Sequence, residues 1–211
     1  ESGQPWVDPR EHGQLPDVYL SMGKTAEFVA RQTGTTRRDQ DEWALESQLR
    51  AERAIGSGYF AREIAPVTTA AGTVVTADDG PRPGTTWEAL AGLRPVFHES
   101  GTVTAGNASP LNDGASALVV MSARRAGELG LKPLARVLGS AASGLSPEIM
   151  GLGPVDASNR LLDRLGLSIG DIDIVELNEA FAAQVVPVVR KLGAEPERVN
   201  PFGGAIALGH P

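Results

Sequence analysis

The chain has 211 residues, a formal net charge of −7 and no cysteine, so it can bury a sizeable core but has no disulfide, thiolate metal site or cysteine nucleophile. The acidic balance argues against a general nucleic-acid binder, although a local Arg or Lys cluster could still bind an anionic small ligand. No apolar run approaches the roughly 18 residues of a membrane span and no signal peptide is visible, so we expect a cytoplasmic protein.

Two helices are predicted in the first quarter of the chain. Residues 23–33 carry apolar side chains at helical spacing before a glycine, which is typical of a short helix. Thr36, with Asp39 three residues later, is a plausible N-cap for a second helix that ends near Gly56. Arg37, at the start of this helix, is expected to be solvated.

The middle of the chain predicts shorter elements. Residues 62–80 contain two short strand-like pieces, and residues 85–93 resemble a short helix with Thr85 and Glu88 as a possible capping box. Residues 117–122 are almost continuously apolar, as in a strand that is covered on both faces.

From Leu134 onward the pattern changes to strand–helix alternation. Residues 134–142 and 172–178 are strand-like, residues 154–166 read as a helix, and residues 179–193 read as an Ala- and Val-rich helix that Pro187 interrupts. Such alternation predicts an α/β architecture in layers.

Two polar residues stand where chemistry could occur. Asn178 ends a predicted strand at the start of a helix, an edge at which open α/β sheets bind ligands, but from position alone a helix cap is the favoured interpretation. His210 lies in a glycine-rich loop and suits general base chemistry near neutral pH, but taken alone it is more simply a surface histidine in a turn. The sequence shows no Walker loop, no dinucleotide fingerprint and no zinc-site spacing, so no metal site is predicted.

Taken together, several stretches resemble one family. "MGKTAEFVARQTG", "GTVTAGNASPLNDGASALVVMS", "IMGLGPVDASNRLL", "VELNEAFAAQ" and "NPFGGAIALGHP" follow one another in the order found in the thiolases, the acetyl-CoA acetyltransferase and 3-ketoacyl-CoA thiolase group. The resemblance implies a thiolase fold of two similar mixed-sheet α/β halves in layers, with a loop domain inserted in the first. It further implies that this chain holds only part of that fold: a CoA-binding loop domain at 1–113, the end of the N-terminal half at 114–133, and the first part of the C-terminal half at 134–211.

The resemblance also implies an activity, cleavage of a 3-ketoacyl-CoA by CoA or the reverse condensation, through ping-pong cysteine chemistry. His210 matches the family histidine that activates the nucleophilic cysteine and helps stabilise an oxyanion. Asn178 matches the asparagine that holds a water in the same oxyanion hole. Coenzyme A is then a substrate, no further cofactor is implied, and a homodimer or homotetramer is expected.

A second group of positions is assigned by resemblance to the CoA thioester. Ser109 matches the serine that hydrogen-bonds the pantetheine arm, and Arg82 matches an arginine near the nucleotide. The remaining positions line the pantetheine, the adenine or the acyl group: Leu93, Phe97, Ala105, Met22, Ala180 and Phe181.

Two departures from the family pattern qualify the resemblance. Ser21 stands where biosynthetic members often have histidine, which leans towards degradative cleavage. The family uses a nucleophilic cysteine and an acid/base cysteine, and this chain has neither, so both are expected to lie outside these 211 residues. The absence of cysteine leaves one alternative, a non-catalytic acyl-CoA-binding protein of thiolase-like fold.

Overall fold

A computed structural model describes residues 19–211 together with His12. The α-helices and β-strands in chain order are α1 (Met22–Thr33), α2 (Arg37–Gly56), β1 (Val67–Thr68), β2 (Val74–Val75), α3 (Trp87–Ala91), α4 (Ala123–Glu128), α5 (Gly153–Leu165), α6 (Ala182–Leu192) and α7 (Ala205–Leu208). Strands β1 and β2 pair antiparallel, with Val67 opposite Val75.

The first two helices begin and end where their capping residues predict. Helix α1 stops at Gly34, whose positive φ of 68° closes the C-terminus. Helix α2 starts with a capping box, in which the Thr36 hydroxyl accepts from the Asp39 amide and the Asp39 carboxylate accepts from the Thr36 amide at 2.7 Å. Arg37 is not simply solvated, because it pairs with Asp41 at 2.7 Å and donates to the carbonyl oxygen of Leu90 at 2.6 Å.

Helix α6 is the centre of the packing. All of its residues from Ala182 to Val189 are buried, and it packs against α1, α2 and α5. Pro187 lies inside the helix without ending it, so the predicted interruption is wrong. The side chains around α6 are small, and three clusters of Ala, Val, Leu and Ile fill the space between the helices. Small side chains allow the helices that carry the site to approach α6 closely.

Several predicted strands do not form within residues 19–211. Residues 117–122 and 134–142 have no regular structure, and Leu118, Val119 and Val120 are 82%, 88% and 79% exposed. Residues 172–178 contribute only an isolated parallel bridge between Val175 and Val199. An apolar run becomes a strand only when a neighbouring strand supplies hydrogen-bond partners, and the described residues supply none to the first two segments.

The remaining local predictions are partly right. The strand pair at 62–80 exists but is only two residues long on each side. Helix α3 is capped by Thr86, whose hydroxyl accepts from the Ala89 amide, and not by Thr85, whose hydroxyl donates to the Arg82 carbonyl. Helix α5 spans most of its predicted range and ends at Gly166.

Two further searches cover the described residues only. None of their helices is both long and apolar enough to cross a bilayer. Nor do these residues bring together three or more His, Asp or Glu side chains that could hold a metal ion.

Candidate active site

A cavity of about 540 Å³ opens between α1, α6 and the C-terminal loop. Six of the ten site residues predicted from the sequence line it: Met22, Ser109, Asn178, Ala180, Phe181 and His210. Most of the other lining residues are apolar or small, and those described include no Asp, Glu, Lys or Arg. A cavity with apolar walls and a few converging polar groups is typical of a small-molecule site.

Asn178 and His210 meet at the edge of this cavity. The Asn178 Nδ2 atom lies 3.1 Å from Nε2 of His210. When the imidazole is neutral with its proton on Nδ1, the amide donates to the lone pair of Nε2, and this nitrogen can take a proton once that hydrogen bond is released. The pair can take a proton from a nucleophile and can direct N–H donors at an oxygen that gains negative charge.

Asn178 does not cap α6, so the interpretation favoured by position alone is wrong. The N-cap residue of α6 is Phe181, in extended backbone and without a side-chain cap bond. Asn178 lies three residues earlier, in the connection that follows the bridge at Val175, and its side chain is exposed. The Asn178 side-chain amide is therefore not used as a helix cap and can bond to His210.

Residues 107–111 join the two segments that carry the pair. The backbone amide and the hydroxyl of Ser109 both donate to the carbonyl oxygen of Ala180, at 3.0 and 3.1 Å. On the other side, the His210 amide donates to the Pro110 carbonyl at 3.3 Å. The loop "NASPL" thus fixes the distance between the Asn178 connection and the histidine.

The residue before His210 must be glycine. Gly209 has a φ of 102°, which side-chain-bearing residues rarely adopt, and an added Cβ would lie 2.5 Å from the Asn112 side chain. This turn after α7 aims the imidazole back towards Asn178. The sequence could indicate a tight loop here, but not the direction of the histidine.

The other four predicted site residues lie outside the cavity lining. Arg82 is exposed, and its backbone amide donates to Gln48 Oε1 at 3.0 Å. Phe97 is 38% exposed and its ring meets the Phe181 ring edge to face at 6.0 Å. Leu93 and Ala105 are exposed as well.

Other residues of the site had no prediction from the sequence. Met150 and Gln184 line the cavity, and Glu179 is buried directly after Asn178. The sequence could have indicated a role for Glu179, because it is a carboxylate at the start of an otherwise apolar helical segment and a buried charge requires partners. Met150 and Gln184 had no such signal.

The electrostatics near Asn178 are set by acidic neighbours. Burial raises the pKa of the Glu176 carboxyl above its usual range, and the nearby carboxylates of Glu179 and Glu63 raise it further. Acidic groups are therefore concentrated in the chain segment next to Asn178.

Family models match nearly the whole chain. Residues 12–124 match the model described as "Thiolase, N-terminal domain", and residues 131–211 match "Thiolase, C-terminal domain". The chain belongs to the thiolase family. The prediction of the family from the motifs is thereby confirmed.

Individual thiolases are about half identical to this chain. The acetyl-CoA acetyltransferase of Paracoccus denitrificans is 52% identical over 193 residues, and the beta-ketoadipyl-CoA thiolase of Pseudomonas aeruginosa is 54% identical over 195 residues. Each alignment covers 90% of this chain and 49% of the relative. The chain therefore spans about half the length of the curated thiolases that it matches.

The solved thiolase structures confirm the fold class. The dimeric peroxisomal thiolase of Saccharomyces cerevisiae superposes with a TM-score of 0.89 at 44% identity, over 92% of this chain and 49% of that one. The α/β thiolase fold, present in part, is therefore the fold of this chain. The division at residues 113 and 133, and the roles of the ten site residues, stay predictions.

Proposed function

We propose that this chain is the part of an acyl-CoA C-acyltransferase that carries the oxyanion-binding groups and the CoA-binding loop. The enzyme would cleave a 3-ketoacyl-CoA with CoA, or condense acetyl-CoA in the reverse direction. The observation that carries the proposal is the contact between Asn178 and His210 at the polar edge of an otherwise apolar cavity. The names of the two relatives support it, since one is an acetyltransferase of acetyl-CoA and the other a thiolase of a ketoacyl-CoA.

His210 has the geometry for the first proton transfer. The 211 residues contain no cysteine, so the proposal requires both the nucleophilic and the acid/base cysteine to come from outside them. His210 would accept the thiol proton at Nε2, and the thiolate would attack the keto carbon of the substrate. The carbon–carbon bond then breaks, the acyl group stays on sulfur, and the second cysteine gives a proton to the departing α-carbon.

During these steps, Asn178 and His210 would stabilise the charge that develops on the keto or thioester oxygen. Their nitrogens lie close together, so an oxygen or a water held by Asn178 can be reached by both groups. Preorganised donors of this kind typically contribute about 2.7–4 kcal/mol to transition-state stabilisation. In the second half-reaction, CoA takes the acyl group from the cysteine.

Ser109 would bind the pantetheine arm of CoA. Its hydroxyl donates to the Ala180 carbonyl, so its oxygen lone pairs remain able to accept from an amide N–H of the arm. Arg82 is an exposed cation, as the phosphates of CoA would require. Leu93, Phe97 and Ala105 would provide apolar contacts to the CoA thioester.

The assembly and the location are also part of the proposal. The S. cerevisiae neighbour is described as dimeric, and we propose a homodimer or homotetramer for this protein too. The cytoplasmic location rests only on the sequence.

The test is thiolysis of 3-ketoacyl-CoA by the full-length protein that contains this chain. We expect the wild type to be active and His210→Ala to lower kcat by about 100- to 1,000-fold. His98→Ala is the matched control. His98 is exposed, and its imidazole is hydrogen-bonded to Ser100, two residues along the chain. Calorimetry of CoA binding to each variant runs in parallel.

Two results would contradict the proposal. A full-length wild type that binds CoA but thiolyses no ketoacyl-CoA would favour the non-catalytic acyl-CoA-binding alternative, which the lack of cysteine suggests. Equal losses of activity in His210→Ala and His98→Ala would show that His210 has no specific role in catalysis.

A further inference from the structure

Glu179, which directly follows Asn178, is a buried carboxylate surrounded by donors. Its residue is 1% exposed. Oε1 accepts from the Trp43 indole at 3.0 Å and from the Asn200 amide at 2.8 Å. Oε2 accepts from the Ser47 hydroxyl at 2.6 Å and from the Ile206 backbone amide at 3.3 Å. No cation takes part in these bonds, so four dipoles stabilise the carboxylate.

Asn200 extends this network around Asn178. Its Oδ1 accepts from the Leu177 amide, and its Nδ2 donates to the Leu177 carbonyl, both at 2.8 Å. The same Nδ2 reaches Glu179. Asn200 is also the non-glycine residue of the described chain with positive φ, at 47°. The residues on either side of Asn178 are therefore both held by one strained asparagine.

The same carboxylate holds the element that precedes His210. The Ile206 amide belongs to α7, and α7 ends one residue before the turn at Gly209. Ser47, which donates to Glu179, also accepts from the Gly204 amide at 3.1 Å. Helix α7 is thus fixed to Glu179 directly through one amide and indirectly through Ser47.

We propose that Glu179 is a positioning residue that sets the distance between Asn178 and His210. It connects the Asn178 segment, through Asn200, to the α7 segment that leads to His210. The proposal rests on the proposed function for its catalytic consequence, but the structural connection stands apart from it. Glu179 itself is not among the residues that line the cavity.

Glutamine cannot replace this carboxylate without placing its NH2 group against another hydrogen-bond donor. If the amide nitrogen took the place of Oε1, it would face the indole N–H of Trp43 and the amide of Asn200, whose oxygen is already used by Leu177. If it took the place of Oε2, it would face the backbone N–H of Ile206. Either orientation loses bonds and pushes a segment of the site away.

The test compares Glu179→Gln with Glu27→Gln. Glu27 is also a buried carboxylate, and it accepts from the amides of Thr102 and Val103, away from Asn178 and His210. In the full-length enzyme we expect Glu179→Gln to lower kcat by about 10- to 100-fold with the KM for CoA within threefold, because small misplacements of catalytic groups cost about this much. Glu27→Gln should leave kcat within twofold.

A second readout does not need activity. In NMR spectra of the full-length protein, Glu179→Gln should shift the Trp43 indole N–H, the Asn178 side-chain amide and the His210 imidazole signals, and Glu27→Gln should not shift the last two. If the wild-type enzyme proves inactive, the proposed function fails and these spectra alone decide the positioning role.

The proposal is overturned if Glu179→Gln folds, keeps kcat within twofold and leaves the Asn178 and His210 signals in place. If Glu179→Gln does not fold, Ser47→Ala removes one donor to Oε2 more gently. A fall in kcat of about 3- to 10-fold in Ser47→Ala, with the same signals shifted, supports the proposal. An unchanged kcat and spectrum in that variant refutes it.

Discussion

Gly204→Ala should be one of the most damaging single-methyl changes in this chain. Gly204 has a φ of −125°, so its backbone suits any residue and the effect is purely one of space. An ideal Cβ there would lie 2.1 Å from Cδ of Glu179 and 2.4 Å from its Oε2. Carbon atoms in contact lie about 3.5–4.0 Å apart, so the carboxylate or the loop must move by about 1.4 Å.

The expected cost follows from what such a movement breaks. Overpacking a filled site costs about 1–3 kcal/mol, and each hydrogen bond to a charged group that is lost adds about 1.5–3 kcal/mol. With one such bond lost, the free energy of unfolding should fall by about 2.5–6 kcal/mol. Domains of ordinary stability have about 5–15 kcal/mol in total, so the variant should be close to unfolding.

Urea denaturation monitored by Trp fluorescence measures this change. Gly56→Ala is the control, because nothing lies within 4 Å of its added Cβ and it ends helix α2. We expect the control to gain up to about 1 kcal/mol, since Ala is the better helix former. A Gly204→Ala variant that loses less than about 1 kcal/mol would refute the close contact between this glycine and Glu179.

Two further predictions concern caps and pH. Thr36→Ala removes the capping box of α2 and should lower the free energy of unfolding by about 0.5–2 kcal/mol in urea, and an unchanged midpoint would contradict the cap. Burial alone would raise the pKa of the Asp39 carboxyl, but hydrogen bonds from Thr36 and Arg190 hold this pKa below its usual range. The contribution of Asp39 to folding stability should therefore be fully present above the ordinary Asp pKa, and it should be lost as pH falls through the lowered pKa of Asp39. Glu176 should have the opposite effect. Because its pKa is raised, the free energy of unfolding of the wild type should increase as pH falls from neutral through that pKa. Glu176→Gln should remove this pH dependence and raise the free energy of unfolding at pH 7 by less than about 1 kcal/mol. A slope in thermal unfolding that Glu176→Gln leaves intact would assign the effect to another group.

The helices could be predicted because their signals are local. Thr36 and Asp39 are three residues apart, and their capping bonds need nothing from elsewhere in the chain. Glycine at the end of α1 and α5 stops each helix through its own positive φ. The sequence predicts Thr85 as the cap of α3 in place of Thr86, because two adjacent threonines offer the same cap and only the backbone decides between them.

The strands could not be predicted reliably because pairing is not local. Residues 117–122 and 134–142 have suitable composition, but composition does not provide the partner strand. The hydrogen bonds of Arg37 could not be predicted for the same reason, since its acceptors at Leu90 and Leu93 lie more than fifty residues away in the sequence.

The site was predictable in its residues but not in its supports. Asn178 and His210 came from motifs, and the cavity brings them to 3.1 Å. The bonds that hold them run from Glu179 to Trp43 and Ser47, more than 130 residues away in sequence. Such long-range partners leave no periodic pattern that a reader of the sequence could detect.

The exposed run at residues 118–120 has a practical consequence for handling the chain. Leu118, Val119 and Val120 combine high β-propensity with no charge, and most of each side chain faces solvent. Such a segment is a template for pairing between molecules. At the concentrations that NMR requires, the 211-residue chain should therefore self-associate through this segment, and Val119→Lys should keep the solution monodisperse because it adds a charge to the segment.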